Sequence, residues 1–232
     1  MIGTPRVHHR VTDSTNAQAK LLAAAGAPHG TLVTADEQTA GRGRQGRAWV
    51  APPGRALLMS VVLRDLERGA ELLPLAAAVG VCAAFPDGSA IKWPNDVWIE
   101  GRKVAGILLE GRPQDGWAVV GIGLNVATAE DEFPPELRAE ATSLRASGID
   151  VAGPGEALER LLPELGEWLV EAPGPVLAAW RERDALRGER ITWSGGAGTA
   201  RGIDDDGSLI VATDAGTERL RSGEVRKVRP AV

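Results

Sequence analysis

Four short stretches gather the side chains that could act on a charged ligand. Gly41-Arg-Gly-Arg-Gln-Gly46, followed by Arg47, combines two useful properties. Glycines let backbone N–H groups approach an anion closely, and arginine forks bind phosphate or carboxylate in bidentate fashion. The GxGxxG spacing does not make a dinucleotide fingerprint, because Pro52-Pro53 bars the helix that must follow, and no Lys-Ser/Thr closes it as a Walker A loop. It is an anion-binding loop, a basic RNA-binding loop, or a solvated flexible loop. Trp49 either stacks on a base or anchors the loop in the core.

In Lys92-Trp-Pro-Asn-Asp96, Pro94 holds Trp93 extended and fixes Lys92, Asn95 and Asp96 at a strand-to-strand junction. A Lys and an Asp at such a bend can address an anion and its Mg²⁺, since one carboxylate plus phosphate oxygens commonly holds that ion. The alternative is a structural turn with a solvent ion pair. In Arg102-Lys103-Val-Ala-Gly-Ile-Leu-Leu-Glu110, Lys103 begins a strand beside the Arg-rich loop, where it fits a charge stabiliser for an acyl phosphate. Gly106 allows close backbone approach. Gly121-Ile-Gly-Leu-Asn125 ends a strand in an Asn that could read an adenine edge or cap a turn. Scarcity marks these residues: the chain has 22 Arg but only 4 Lys, and Asn16, Asn95 and Asn125 are its only three Asn. Where Arg serves every generic positive charge, a remaining Lys is a candidate for work that Arg's shape and hydration do not suit.

The elements that must position these residues follow from pattern. Arg6–Val11 reads as an opening strand, and Asp13-Ser-Thr-Asn16 caps an Ala/Leu helix closed by Gly26. Thr31–Thr34 and the near-continuous apolar run Ala56–Leu63 are strands, the second buried. Pro74 opens a helix carrying Leu75, Val79, Ala83 and Phe85, with Cys82 toward the core. Strands follow at Ile91–Trp93, Val97–Ile99, Val104–Gly111 and Trp117–Val126, then loop over 127–154. Leu158, Leu161, Leu162, Leu165, Trp168 and Leu169 make an amphipathic helix in which Pro163 implies a kink or a late start. Pro175 opens another helix, running to about Leu186. From 188 to 230, short β segments between turns such as Asp204-Asp-Asp206-Gly suit a small barrel of four or five strands.

Of 232 residues, 44 % are hydrophobic and 25 % charged, the balance of a folded globular protein. The net charge of −5 argues against a general nucleic-acid binder. No apolar run approaches the ~20 residues of a membrane span, and no signal-peptide pattern opens the chain, so a cytoplasmic location is expected. One cysteine excludes an intrachain disulfide and a Cys-cluster metal site. No His/Cys/Asp constellation suggests a hydrolase.

Taken together, STN at 14–16, Gln38 with GRGRQGR at 41–47 and Trp49, KWPND at 92–96, RKVAGILLE at 102–110 and GIGLN at 121–125 resemble the biotin protein ligases, in order and spacing, over about residues 8–126. Thr39-Ala40 departs slightly from the family pattern before the loop. The helical region and β tail resemble that family's later part and its SH3-like C-terminal domain. The resemblance implies an α+β fold: a mixed, mostly antiparallel central sheet with flanking helices, class II synthetase-like, over 1–186, and an SH3-like β-barrel over 187–232. With about a dozen residues before STN, the chain resembles the monofunctional form without a DNA-binding domain.

The implied reaction has two steps. Biotin and ATP give biotinyl-5′-AMP, and a lysine of a biotin carboxyl carrier domain then takes the biotinyl group. By motif match, Ser14, Thr15 and Gln38 would hydrogen-bond the ureido ring, with Asn16 supporting. Gly41, Arg42, Gly43, Arg44 and Gly106 would line biotin, with the Arg42 side chain near its carboxylate. Lys103 and Arg42 would be catalytic. Arg42, Arg44, Arg47, Lys92, Asn95 and Lys103 would face the nucleotide, Trp49 and Asn125 would be the adenine candidates, and Asp96 would hold Mg²⁺. The expected partner is the carrier domain of an acyl-CoA carboxylase, with no nucleic acid and no membrane, and the expected state is a monomer or weak homodimer. Loop 38–48 is expected to be mobile without ligand. The rivals are a lipoate–protein ligase, which shares the chemistry, and a non-enzymatic binding module.

Overall fold

The computed structural model describes residues 1–64, 66, 70–221 and 223–228. Positions 222 and 229–232 of the expected β-barrel therefore lie outside the described residues. Seven strands form the main sheet: β1 (Arg6–Thr12), β2 (Leu32–Gln38), β3 (Ala56–Arg64), β4 (Ser89–Lys92), β5 (Asp96–Ile99), β6 (Arg102–Arg112) and β7 (Trp117–Asn125). Their order is β1-β2-β3-β7-β6-β5-β4. Among these described strands only β1 and β2 pair in parallel. That pair needs a crossover, and helix α1 (Thr15–Ala24) supplies it. The fold is therefore α+β with a mixed sheet, as expected.

Helix α1 covers one face, packing Ala19 and Ala23 on Val33, Val62, Trp117 and Val119. The other face carries the larger core against α2 (Leu73–Ala84), α3 (Pro154–Trp168) and α4 (Pro173–Glu182). Two covered faces explain why Ala56–Leu63 is apolar without alternation: all eight residues are buried. Cys82 is fully buried in α2, and burial pushes its thiol up to about 11, so it is no nucleophile.

Several boundaries differ from the pattern-based expectation. Helix α3 does not start late. It begins at Pro154, whose fixed φ suits a first turn, and runs through Pro163 because Ala157, Leu158, Leu161 and Leu165 bury on one stripe. Helix α4 starts at Pro173 and stops at Glu182 rather than near Leu186. Its following residues leave the helix to cover the β4 edge, with Ile91 N–H donating to Arg183 O (2.7 Å) and Ala185 N–H to Ile91 O (2.9 Å). Trp93 lies beyond β4, buried, and its indole N–H donates to Gly207 O (2.9 Å). Within 127–154, expected as loop, short 3-10 turns form at Glu130–Glu132 and Arg145–Ser147, and residues 140–142 add a bridge to Lys103.

The tail forms a second sheet from β8 (Arg190–Trp193), β9 (Gly196–Ile203), β10 (Leu209–Thr213), β11 (Gly216–Leu220) and β12 (Arg226–Lys227), all antiparallel, in the order β11-β10-β9-β8-β12. The turn at Asp204–Gly207 joins β9 to β10 as its sequence predicts. Ile191, Ala200, Ile203, Leu209 and Val211 join the main core, so the tail sheet rests on the body of the protein. Among the described residues no helix is long and apolar enough to cross a membrane.

Asp184 lies at the junction of the two sheets. One oxygen accepts Leu186 N–H (2.8 Å); the other, Oδ2, is buried with no hydrogen-bond partner among the described residues. Burial pushes its carboxyl above the ordinary carboxylate range. An acid whose folded pKa is raised stabilises the fold below its unfolded pKa, and this stabilisation is lost as pH rises through the folded value. Asp184→Asn, which removes the buried charge, is expected to raise the melting temperature at pH 7 by up to about 3 °C. The gain should shrink toward zero near pH 4; an equal gain at both pH values would rule out the ionisation argument.

Candidate active site

Cross-strand register builds the site. Directly paired positions share a face of a sheet, and β4, β5, β6 and β7 align Lys92, Asp96, Gly106 and Gly123 in one row. Ser60 on β3 pairs with Gly121 on the same face of β7, and Asn125 lies two positions past Gly123. The row thus offers two charged side chains, then bare backbone, then small polar groups. A cavity of about 860 Å³ opens over it, a size suited to an organic ligand.

One end is polar and neutral. Thr15 N–H donates to Gln38 Oε1 (2.7 Å), and Thr15 Oγ1 lies 3.0 Å from the same oxygen. Ser60 Oγ is 2.8 Å from Thr15 Oγ1 and 2.6 Å from Asn16 Oδ1. Asn16 Nδ2 donates to Glu110 Oε2 (2.9 Å), whose other oxygen pairs with Lys20. A Cβ on Gly121 would fall 2.0 Å from Asn16 Oδ1, so this packing needs a glycine there. Burial raises the Glu110 carboxyl, but hydrogen bonds from Lys20 and Asn16 outweigh it and hold the group below its usual range.

The middle is occupied by Trp49. Its indole lies on Gly106 and Gly123, where a Cβ on Gly123 would come within 2.4 Å of the ring. The ring N–H is buried without a partner among the described residues, and Lys103 Nζ is 5.6 Å from the ring centroid.

The third region is cationic. Lys103 Nζ lies 2.6 Å from Asp96 Oδ1, and Lys92 Nζ 3.9 Å from Asp96 Oδ2. Burial, with Lys103 beside it, lowers the Lys92 pKa against the pull of Asp96. Arg44 turns inward to Asn95 Oδ1 (3.2 Å), and Asn95 Nδ2 donates to Ile107 O (2.5 Å). The backbone of Lys103 is clamped on both sides, its N–H to Glu140 O (2.7 Å) and its O to Thr142 N–H (2.9 Å). Asn125 Nδ2 donates to Thr142 O (3.0 Å), and Phe133, Leu137 and Ala141 line the wall nearby.

Most of the expected residues line this one cavity: Ser14, Thr15, Asn16, Gln38, Arg42, Gly43, Arg44, Arg47, Trp49, Lys92, Asn95, Asp96, Lys103, Gly106 and Asn125. Gly41 is buried at the base of the loop, where its carbonyl accepts Trp49 N–H (3.0 Å). Three of these side chains also meet partners that the sequence did not indicate. Arg42 Nη1 lies 3.9 Å from Glu110 Oε1. Arg47 pairs with Glu224 of the tail (2.8 Å). Asp96, expected to hold Mg²⁺, has each oxygen facing an ammonium and is only 14 % exposed. No group of three His, Cys, Asp or Glu side chains suited to a metal occurs among the described residues. That donor set does not fit a magnesium ion held by the protein.

Sequence reasoning missed Ser60, Glu110, Lys20 and the 133–142 wall. Ser60 was visible as the one polar residue in an apolar strand, and Lys20 as one of four lysines. The wall had no local signal, since it is loop.

Residues 8–126 match the Biotin/lipoate A/B protein ligase family, and residues 197–228 match the biotin protein ligase C terminal domain. The chain is 38 % identical to the biotin–[acetyl-CoA-carboxylase] ligase of Paracoccus denitrificans, over 92 % of this chain and 97 % of that protein. It is 36 % identical to the bifunctional ligase/repressor BirA of Bacillus spizizenii, over 97 % of this chain and 74 % of the relative. The fold superposes on biotin protein ligase from Aquifex aeolicus in complex with biotin and ATP with a TM-score of 0.82 at 27 % identity, covering 97 % of this chain and 100 % of that one. On motif, fold and cavity alike, the chain belongs to the biotin protein ligases.

Proposed function

We propose that this is a cytoplasmic ligase that activates biotin with ATP and passes it to a lysine of a biotin carboxyl carrier domain. In the first step a carboxylate oxygen of biotin attacks the α-phosphorus of ATP, giving biotinyl-5′-AMP and pyrophosphate. In the second the acceptor amine attacks the acyl carbon of the mixed anhydride, and AMP leaves with the bonding pair. The observation that carries this reading is the polarity of a single cavity: hydrogen-bonding and neutral beside Thr15, Gln38 and Ser60, cationic beside Lys103, Lys92 and Arg44.

The layout of the cavity supports a role for each residue. Ser14, Thr15 and Gln38 take the ureido ring, backbone at Gly41, Gly43 and Gly106 lines the bicycle, and Trp49, seated on Gly106 and Gly123, walls the cavity toward the adenine. Lys103 sits where negative charge develops on the acyl and phosphoryl oxygens, an arrangement that lowers the barrier in a water-poor site. Asp96 holds Lys103 on target, and Lys92, Asn95, Arg44 and Arg47 face the phosphates. Asn125 meets the adenine. The Gly-rich loop keeps water from the adenylate. Net negative charge supports a protein that binds no nucleic acid, as a monomer or weak homodimer.

The test is pyrophosphate release from ATP and Mg²⁺ with biotin or lipoate. Biotin-dependent release with a retained adenylate is expected. Release with lipoate alone would move the substrate to the sister ligases, and silence with both acids from a folded protein would overturn the reading.

A further inference from the structure

The hydrogen bonds at the neutral end have a direction, and a residue outside the cavity wall sets it. The Asn16 amide is oriented without ambiguity. Its Nδ2 faces two acceptors, Glu110 Oε2 at 2.9 Å and Leu108 O at 3.4 Å, so its Oδ1 faces Ser60. An amide oxygen only accepts, so the 2.6 Å contact is made with the single proton of the Ser60 hydroxyl. Ser60 Oγ then has only lone pairs for Thr15 Oγ1, 2.8 Å away. Two hydroxyl protons serve three contacts, so the Thr15 proton goes to the shorter of its two, Ser60 Oγ at 2.8 Å, in place of Gln38 Oε1 at 3.0 Å. Gln38 Oε1 gives up the longer hydroxyl contact but keeps Thr15 N–H, which donates to it at 2.7 Å. Thr15 Oγ1, on the cavity wall, is left as an acceptor.

We propose that Glu110 is a positioning residue that orients this relay. Donation runs from Thr15 to Ser60 to Asn16 to the Glu110 carboxylate, so that the pocket presents an acceptor to a ring N–H of its ligand. Glu110 reaches this place because side chains two apart on a strand share a face: Gly106 and Leu108 on β6 line the cavity, and Glu110 follows just outside it. Lys20 and Arg42 flank the carboxylate and keep it charged. A cyclic urea, with two N–H donors beside one carbonyl, suits such a pocket, whereas a dithiolane ring has no N–H to give. The inference rests on the ligase reading above.

The test uses Glu110→Gln, Ser60→Ala and their double variant in the pyrophosphate assay. Glutamine keeps the volume, but its amide can donate as well as accept, so the relay loses its bias. Each single variant is expected to raise the KM for biotin about tenfold or more, while the KM for ATP stays within about twofold. Both substitutions break one relay, so the double variant should be no worse than the poorer single, a non-additivity that unrelated packing defects do not show. An unchanged biotin KM, an equal rise for ATP, or multiplied effects would each overturn the proposal. A wild type without biotin-dependent release would instead overturn the ligase reading.

Discussion

Lys103→Ala is expected to slow adenylate formation by about 10²- to 10³-fold, the loss typical when a fixed donor to a developing oxyanion is removed. Three features of the fold aim this ammonium. Its backbone is held by Glu140 O and Thr142 N–H, and its Nζ lies 2.6 Å from Asp96 Oδ1 and 5.6 Å from the centroid of the Trp49 ring. Arginine has a different reach and a planar fork, so Lys103→Arg should restore little. The measurement is single-turnover formation of the adenylate, with biotin binding followed separately by calorimetry. A fall in rate far larger than the loss of affinity would place the interaction in the transition state. If rate and affinity fell by the same factor, Lys103 would be a binding group only. Asp96→Asn should give a smaller rate loss of the same kind, because the ammonium stays but is less well held.

Gly123→Val is expected to cut biotin affinity by at least about a hundredfold without lowering the melting temperature. Gly123 lies mid-strand in β7, where valine is favoured by the backbone. The cost falls on the cavity: a Cβ alone would lie 2.4 to 2.8 Å from three carbons of the Trp49 indole. The ring must leave its seat on the strand, and the cavity wall that it forms goes with it. Calorimetry with biotin, alongside a thermal melt, separates the two effects. Retained affinity would show that the ligand does not depend on this wall. Gly123→Ala should fall between wild type and valine, as expected of a steric effect graded by volume.

Some of this was legible in the chain and some was not, for identifiable reasons. The helix at 15–24 follows its alanine run, although Ser14 at its N-cap makes no side-chain capping bond, and the apolar stretch 56–63 is buried as its composition implies. Those signals are local, encoded in the residues that form the element. The ends of α4 and the pairing of residues 140–142 with Lys103 were not legible, because distant backbone groups there complete an exposed strand edge or clamp a side chain. Arg42 shows the same divide. Its place in a Gly-rich loop marks it as an anion ligand, yet the fold brings the Glu110 carboxylate within 3.9 Å of it.

The sequence by itself determined the family, the order of the elements and the chemical types available: scarce lysines, a glycine-rich arginine loop, polar residues at a helix start and glycines in paired strands. Tertiary structure alone decided which of them meet. Register across four strands set Lys92, Asp96, Gly106 and Gly123 in one row, and packing of α1 on β3 and β7 joined Asn16 to Ser60. A strand's period tells which side chains share its face. Only its hydrogen-bonded neighbours, far away in the chain, determine what those side chains face.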